Sequence, residues 1–587
     1  MLPNGILGIV GGSAAEIDRF LESHRTLALT EQQLRFERDR AGGGMLGCAV
    51  SAASTGLTTL SRSDDGARIG VFDGVNFDDW DIEHEPHLLP ERSARDINRD
   101  ANGQFLVAAL GEHALDLLTD PWGTLPVYVF ESRDTVAFSV SLDALRRCFI
   151  SDDTVLNKAA VAQLMVFGTT FDGQTVYPGI RRLGRAMLYR ARWSPSGWRL
   201  SEEEYFSPEV EPSEYRGIDN DVVDGFRAAV RKLLRKSNGD LLCTLSGGLD
   251  SRTIAAVLSA EGANVPYATH AVREGHDAII ARRVAELLGA QHHMIPLPGH
   301  LPLDAQATDF LQASNGAMSF DNYHVMWTFP EFARLGRFVM DGVHTSIEGR
   351  WFMRNDAASA RNHERFFEAA YRHLRRPAIL RHVRNPERHE REAREVLRRL
   401  TPDPRDYASP GCCADVFNVR TVLPNHGTDA ALLENHFLRF LSPFYDREYV
   451  GIISRLSERR RWTQQPQRLI IRASAPQLAT VPRAYSDILT WAVEHPLLLR
   501  VPVALERLYD RTGLARFPVL HRHLSRRAPT LGYALHADGP LRMGAHATSL
   551  FNPMEGALAL PDTQTGRDIP AAMHPVLHLL LDASPAL

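Results

Sequence analysis

Residues 246–251 read Ser-Gly-Gly-Leu-Asp-Ser, set between the apolar run 241–245 and an amphipathic run that ends at Gly262. Strand, glycine loop and helix in that order form an anion-binding arrangement. Glycine lets backbone N–H groups approach a phosphate closely, and the helix N-terminus adds partial positive charge. Two better-known phosphate loops are excluded. The chain has no Gly-Lys pair, so there is no Walker A loop, and adjacent glycines followed by Asp250 do not fit Gly-x-Gly-x-x-Gly. An aspartate here would repel phosphate unless a divalent cation sat between them. The loop therefore reads as a pyrophosphate-and-metal site. Ser246, Gly247, Gly248 and Ser251 are its donors, Asp250 is a metal ligand, and Leu245 belongs to the same binding set.

The elements that must position this loop follow from pattern. From about residue 215 helical and strand texts alternate: 220–237 and 251–262 are helical, 240–245 and 265–272 are strands, 276–290 is a helix and 337–342 a strand. That alternation predicts a parallel α/β sheet. Upstream, 5–10, 67–75, 104–110, 125–132 and 135–141 are short β-rich runs punctuated by Asp, Gly, Pro and Ser, with one helix at 156–168. The polar, Pro-containing stretch 193–214 reads as a linker, and beyond about 350 the text is helical and Arg-rich. No internal repeat is present.

The chain has 587 residues, 44% hydrophobic and 23% charged, enough for two or three domains. A net charge of -5 gives no global electrostatic case for nucleic acid or an anionic membrane. No apolar run reaches the roughly 18 residues of a membrane span, and the N-terminus lacks the features of a signal peptide. Five scattered cysteines fit neither a disulfide framework nor a zinc knuckle, so a cytoplasmic location is expected. The basic segment 372–400 is interleaved with Glu387, Glu390, Glu392 and Glu395 and reads as a solvated helical face. Lysine occurs only at 158, 232 and 236, so any cationic role downstream falls to arginine or histidine.

With its flanks, the Ser246–Ser251 loop resembles the pyrophosphate loop of the N-type ATP pyrophosphatases, and specifically the asparagine synthetase B superfamily. The stretches 267–297, 315–342 and 440–457 resemble later family segments in order. The stretches 4–12, 71–80, 118–130, 138–145 and 175–190 resemble its glutaminase-type N-terminal domain. The resemblance implies an α/β protein with three parts. Residues 1–205 would form a degenerate glutamine amidotransferase-like (Ntn-like) β-rich domain. Residues 215–487 would form an ATP-pyrophosphatase-type parallel α/β synthetase domain with a helical C-terminal part, followed by an extension, 488–587. It implies ATP and Mg²⁺ as cofactors, adenine read by backbone near Val272, and Gly342 in the ATP site.

Departures from the family pattern narrow the expectation. The glutaminase needs an N-terminal Cys nucleophile; Asn4 stands at that position, and Cys48 is far from the terminus. Ammonia release is not expected, so the amine must come from elsewhere. In the loop after Asp341, Ser346 falls on the position of a family metal ligand, which leaves Glu348 or Asp341 for the second metal site. Val343 occupies a catalytic-dyad position, and His344 could serve as base. The family's late lysine is missing, and Arg483 is the substitute; Arg472 is read as structural. These features suit a lasso peptide cyclase, a relative of the β-lactam synthetases. Such an ATP-dependent, AMP-forming ligase would join the N-terminal amine of a precursor peptide to an Asp or Glu side chain, with a leader peptidase as partner. The alternatives are a β-lactam-type or other small-molecule amide synthetase and a non-catalytic peptide-binding scaffold.

Overall fold

The structure, a computed structural model, describes residues 1–482 except 30, 40–42, 52–55, 152–153, 272–275, 299, 303–304, 317–322, 343–359, 376–379, 381–384 and 427, together with 534–536. Twelve strands come first: β1 (Gly5–Val10), β2 (Gln33–Arg38), β3 (Gly44–Val50), β4 (Thr58–Arg62), β5 (Ile69–Asn76), β6 (Gly103–Gly111), β7 (Ala114–Thr119), β8 (Tyr128–Glu131), β9 (Val136–Ser139), β10 (Ile180–Arg182), β11 (Met187–Ser194) and β12 (Gly197–Glu204). They form two six-stranded sheets, ordered β10-β8-β9-β1-β3-β2 and β12-β11-β7-β6-β5-β4. Ile6 and Val10 of β1 meet Val71 and Leu106 of the second sheet in one core, whereas Leu7 and Ile9 enter another. That split follows from the two-residue period of a strand, and it explains why β1 and β3 are buried on both faces.

Helix α1 (Ile218–Ser237) leads into the second architecture. It contains β13 (Leu241–Thr244), α2 (Asp250–Ala260), β14 (Tyr267–Ala271), α3 (His276–Leu288), β15 (His292–Pro296), β16 (His300–Pro302), β17 (Phe338–Met340), α4 (Thr428–Phe437) and β18 (Arg439–Leu441). Strand β16 pairs with residues 534–536. The others form a five-stranded sheet ordered β15-β14-β13-β17-β18, parallel at each pairing. The chain steps outward from β13 to β14 and β15, then returns to the other side of β13 with β17 and β18. The order therefore reverses between β13 and β17, the place where open α/β sheets bind ligands at their carboxyl ends. The molecule is thus a mixed α/β fold with antiparallel sheets followed by a parallel one. The largest core runs unbroken from Leu7 and Trp122 to Leu241 and Phe440.

Two expectations need correction. Trp193–Glu204 is not linker: it completes a hairpin in which Trp193 pairs with Trp198 and Met187 with Glu204. The glutamates that made it look like a linker lie on an exposed edge strand. Strands β15 and β18 are not apparent in the sequence: β15 opens on His292 and His293 and ends on Pro296, and β18 follows α4 almost directly, so neither stands out as an apolar run between turn residues. The described part of the basic segment over Pro386–Leu400 is a helical surface. Arg394 and Arg398 stack over Phe367, pair with Glu368 and Glu364, and Arg375 pairs with Glu390 at 2.5 Å. Among the described residues, no helix is long and apolar enough to cross a membrane.

Candidate active site at the glycine loop

Leu245 follows β13 and ties the start of the loop to β14: its N–H donates to the Ala268 carbonyl at 2.8 Å, and its carbonyl accepts from Thr269 Oγ1 at 2.6 Å. The turn itself is knit by two hydroxyls. Ser251 Oγ lies 3.0 Å from Ser246 Oγ and accepts from the Ser246 N–H at 3.1 Å, while Ser246 Oγ accepts from the Gly248 N–H at 3.2 Å. Helix α2 then starts on Leu249, which supplies no side-chain cap, and its first backbone bond is Thr253 N–H to Leu249 C=O at 2.8 Å. A helix N-terminus beside a glycine turn carries partial positive charge suited to an anion. The loop also holds an anionic oxygen: the Gly247 N–H donates to Asp277 Oδ1 at 2.8 Å.

The neighbouring strand brings the backbone that carries a second acidic residue close to this point. Gly342 lies so close to the start of α2 that a Cβ there would come within 2.7 Å of Asp250 Cβ and 3.0 Å of Ser251 N. Asp341, one residue earlier, donates its N–H to the Leu441 carbonyl at 3.1 Å. Asp250 and Asp341 thus stand at the carboxyl ends of the two strands that flank the reversal. Gln467, fully buried, donates Nε2 to Asp250 Oδ1 at 3.0 Å and orients that carboxylate. Glu434 on α4 lies near Asp341; burial, and then the Asp341 charge, raise its pKa well above the ordinary carboxylate range. Among the described residues, no group of three or more His, Cys, Asp or Glu gathers as a metal cage. Mg²⁺ does not need one, since it is commonly held by one or two carboxylates plus substrate phosphates. The oxygen-only pair Asp250 and Asp341 fits that ion.

Residues 221–313 match the family described as asparagine synthase. This asparagine-synthase-like segment contains the glycine loop, α2, β14 and α3, and stops short of Asp341. No curated protein matches. Solved structures that are similar include the allosteric regulatory enzyme of purine biosynthesis and the glutamine phosphoribosylpyrophosphate amidotransferase from B. subtilis complexed with ADP and GMP. Each shares 14% identity at a TM-score of 0.24 over 45% of this chain. The chain spans 64% of the length of each.

Arg252 escaped the sequence reading. It is 1% exposed and donates to the carbonyls of Val481 at 2.6 Å, Pro482 at 2.8 Å and Gly247 at 3.3 Å. It thereby ties the asparagine-synthase-like loop to the residues just before Arg483. A charged residue in the first turn of an otherwise apolar helix was the available signal. Gln467 had none, because only the fold brings it to Asp250. Val272, His344, Glu348 and Arg483 lie outside the described residues, as do Val343 and Ser346. Arg472 is exposed on the helix Gln465–Ser474.

Asn4 occupies a different kind of corner. Its Nδ2 donates to Ser51 Oγ at 2.7 Å and to the Asn435 carbonyl at 2.9 Å, and its Oδ1 accepts from Gln32 Nε2 at 3.0 Å. Cys48 sits in β3 opposite Ile6, and burial, helped by Asp73, pushes its thiol up to about 12. All five cysteines are buried and free. No thiolate nucleophile is available at this corner.

Proposed function

We propose that the protein activates a side-chain carboxylate of a peptide with ATP and joins it to the N-terminal amine of the same peptide, closing a macrolactam ring. The observation that carries the reading is the uncapped glycine loop at the strand-order reversal, with Asp250 and Asp341 beside it. The asparagine synthase match over that loop supports ATP-dependent amide formation in general. The closed Asn4 corner supports an amine that arrives on the substrate rather than as ammonia.

The chemistry assigns work to these residues. Ser246–Gly248 and the first turn of α2 bind the pyrophosphate portion of ATP, and Asp277 yields the Gly247 N–H to it. Asp250, oriented by Gln467, and Asp341 would hold Mg²⁺, which when bound neutralises phosphate charge. A substrate carboxylate oxygen attacks the α-phosphorus, the bond from that phosphorus to the bridging oxygen breaks, and pyrophosphate leaves. The amine nitrogen then attacks the acyl carbon, the bond to AMP breaks, and the surplus proton passes to solvent. Holding both reacting groups on one chain supplies much of the rate. The amine is free only after a leader is cut away, so a leader peptidase is the partner this reading requires.

The test is pyrophosphate–ATP exchange with the purified full chain and a synthetic core peptide bearing a free N-terminus and an internal Asp or Glu. Peptide-dependent exchange and a product lighter by one water are expected. Exchange with small carboxylates but not with any peptide would overturn the peptide assignment, and absence of exchange with either would overturn the ligase reading.

A further inference from the structure

The edge strand β18 is three residues long and, among the described residues, pairs only with β17, with Phe338 opposite Arg439 and Met340 opposite Leu441. So short a strand specifies its own register weakly. It is nevertheless held by side chains of the N-terminal region at Arg439 within it and at the residues that precede and follow it. Asn4 Nδ2 and Ser51 Oγ each reach a carbonyl at the end of α4, Asn435 and His436, both at 2.9 Å. Asp73 pairs with Arg439 at 2.8 Å, with both side chains 2% exposed, and Thr58 Oγ1 supports that carboxylate at 2.7 Å. Gln104 Oε1 accepts from the Ser442 N–H at 3.1 Å, and Trp122 Nε1 donates to the Tyr445 carbonyl at 2.6 Å. Asn102 accepts from the Arg447 N–H at 2.9 Å and donates to Asp446 at 3.0 Å. From the end of α4, Asn435 Oδ1 accepts from the Phe440 N–H at 2.9 Å. The output of this grip is the Leu441 carbonyl, which accepts the Asp341 N–H at 3.1 Å.

We propose that Asn4, Ser51, Asp73 and Gln104 are positioning residues for the synthetase site: they hold β18 so that Leu441 sets Asp341 at the mouth of the glycine loop. The N-terminal sheets would then act on the reaction through a backbone, without delivering any reactant. The catalytic consequence rests on the proposed role of Asp341; the mechanical hold does not. Buried, directional hydrogen bonds suit this task better than apolar contact alone, because each is lost if the strand slides.

The experiment compares Ser51→Ala, Asn4→Ala and the conservative Ser51→Thr in the full chain. Peptide-resolved hydrogen exchange is the first readout. Exchange over 438–441 and 339–341 should rise about tenfold in the alanine variants, while 254–258 in α2 stays as in the wild type. Ser51→Thr should restore the wild-type pattern. Unchanged exchange at β18, or an equal rise in α2, would overturn the hold. The second readout is amide formation. Its kcat should fall about tenfold, the Mg²⁺ concentration for half-maximal rate should rise, and Ser51→Thr should recover both. Faster exchange at β18 with unchanged kcat and Mg²⁺ dependence would overturn the link to Asp341. If wild-type protein shows no pyrophosphate exchange, the ligase reading fails and the hydrogen-exchange map alone decides whether the sheets hold β18.

Discussion

Asn4 and Gly247 lie at opposite ends of buried strands, the first just before β1 and the second just after β13, and their polar groups have different partners. The Asn4 amide is satisfied by side chains and carbonyls of three separate segments, at Gln32, Ser51 and Asn435. The Gly247 N–H holds a single carboxylate oxygen from α3, and the helix beside it begins without a side-chain cap. A corner whose donors all end inside the protein is a joint, since opening it would leave buried groups unpaired. A glycine corner that already holds a carboxylate oxygen on a backbone N–H, at the reversal of a parallel sheet, has the geometry of an anion site. The two therefore predict opposite responses to mutation. Changes at the loop should remove activity and spare the fold; changes in the antiparallel sheets should alter stability first.

The largest effect is expected at Asp250. Asp250→Asn keeps an oxygen for the Gln467 bond and removes the charge that would hold Mg²⁺ against pyrophosphate. Pyrophosphate–ATP exchange should fall by about 10²-fold or more, with a melting temperature close to wild type. Retention of most of the exchange rate would break the contrast at its active end. Gly342→Ala comes next. Its Cβ would meet Asp250 Cβ at 2.7 Å and the Ser251 backbone at 3.0 Å, neither of which is the free end of a flexible chain. Overpacking of this kind costs about 1–3 kcal/mol. Displacing the start of α2 should weaken ATP binding about tenfold, which corresponds to about 1.4 kcal/mol. Calorimetric titration with wild-type affinity would show that the two strand ends are not coupled.

Much of this arrangement is legible in the sequence. The glycine loop, the helix after it and the strands β13, β14 and β17 carry strong local signals: apolar runs, adjacent glycines, a helical period. Asn4 was noticed because a thiol was expected there. What escaped depends on residues brought together across the chain. Arg252 reads locally as one more charged residue on a helix, and its role appears only when Val481 and Pro482 fold against it. Gln467 lies more than two hundred residues from the Asp250 it supports. Strand β18 has three residues, and its position comes from Asp73, Gln104 and Ser51 rather than from its own text. The linker assigned to 193–214 failed over 193–204 for a related reason. Charge on β12 marks an exposed edge, and a single sequence does not separate an edge strand from a polar connection.

The smallest effect concerns pH, and it belongs to the antiparallel side of the comparison. His24 is fully buried in the helix Ala14–Arg25, with Nδ1 2.7 Å from the Phe20 carbonyl and Nε2 2.9 Å from Ser139 Oγ. Ser139 Oγ also accepts from the Ser141 N–H at 3.0 Å, so its hydroxyl is placed to donate to Nε2 while Nδ1–H donates to Phe20. That pattern suits the neutral ring. Burial lowers the pKa to about 4, against the 6.5 of an ordinary histidine, and the Phe20 bond opposes it only in part. The sign follows from proton binding. Below pH 6.5 the unfolded chain takes up a proton that the folded chain refuses, so stability falls as pH drops from 6.5 toward 4, by about 1.4 kcal/mol per unit for one such group. His270 and His436 are lowered to about 4 by burial too and add to the slope. Denaturant unfolding at pH 7.5, 6.5 and 5.5 should show this loss. His24→Asn, which keeps a donor near Phe20 and cannot take up the proton, should be less stable at pH 7.5 yet lose about 1 kcal/mol less than wild type between pH 6.5 and 5.5. A slope unchanged by the substitution would mean that His24 is protonated in the folded state, and the closed character assigned to this part of the antiparallel region would be wrong.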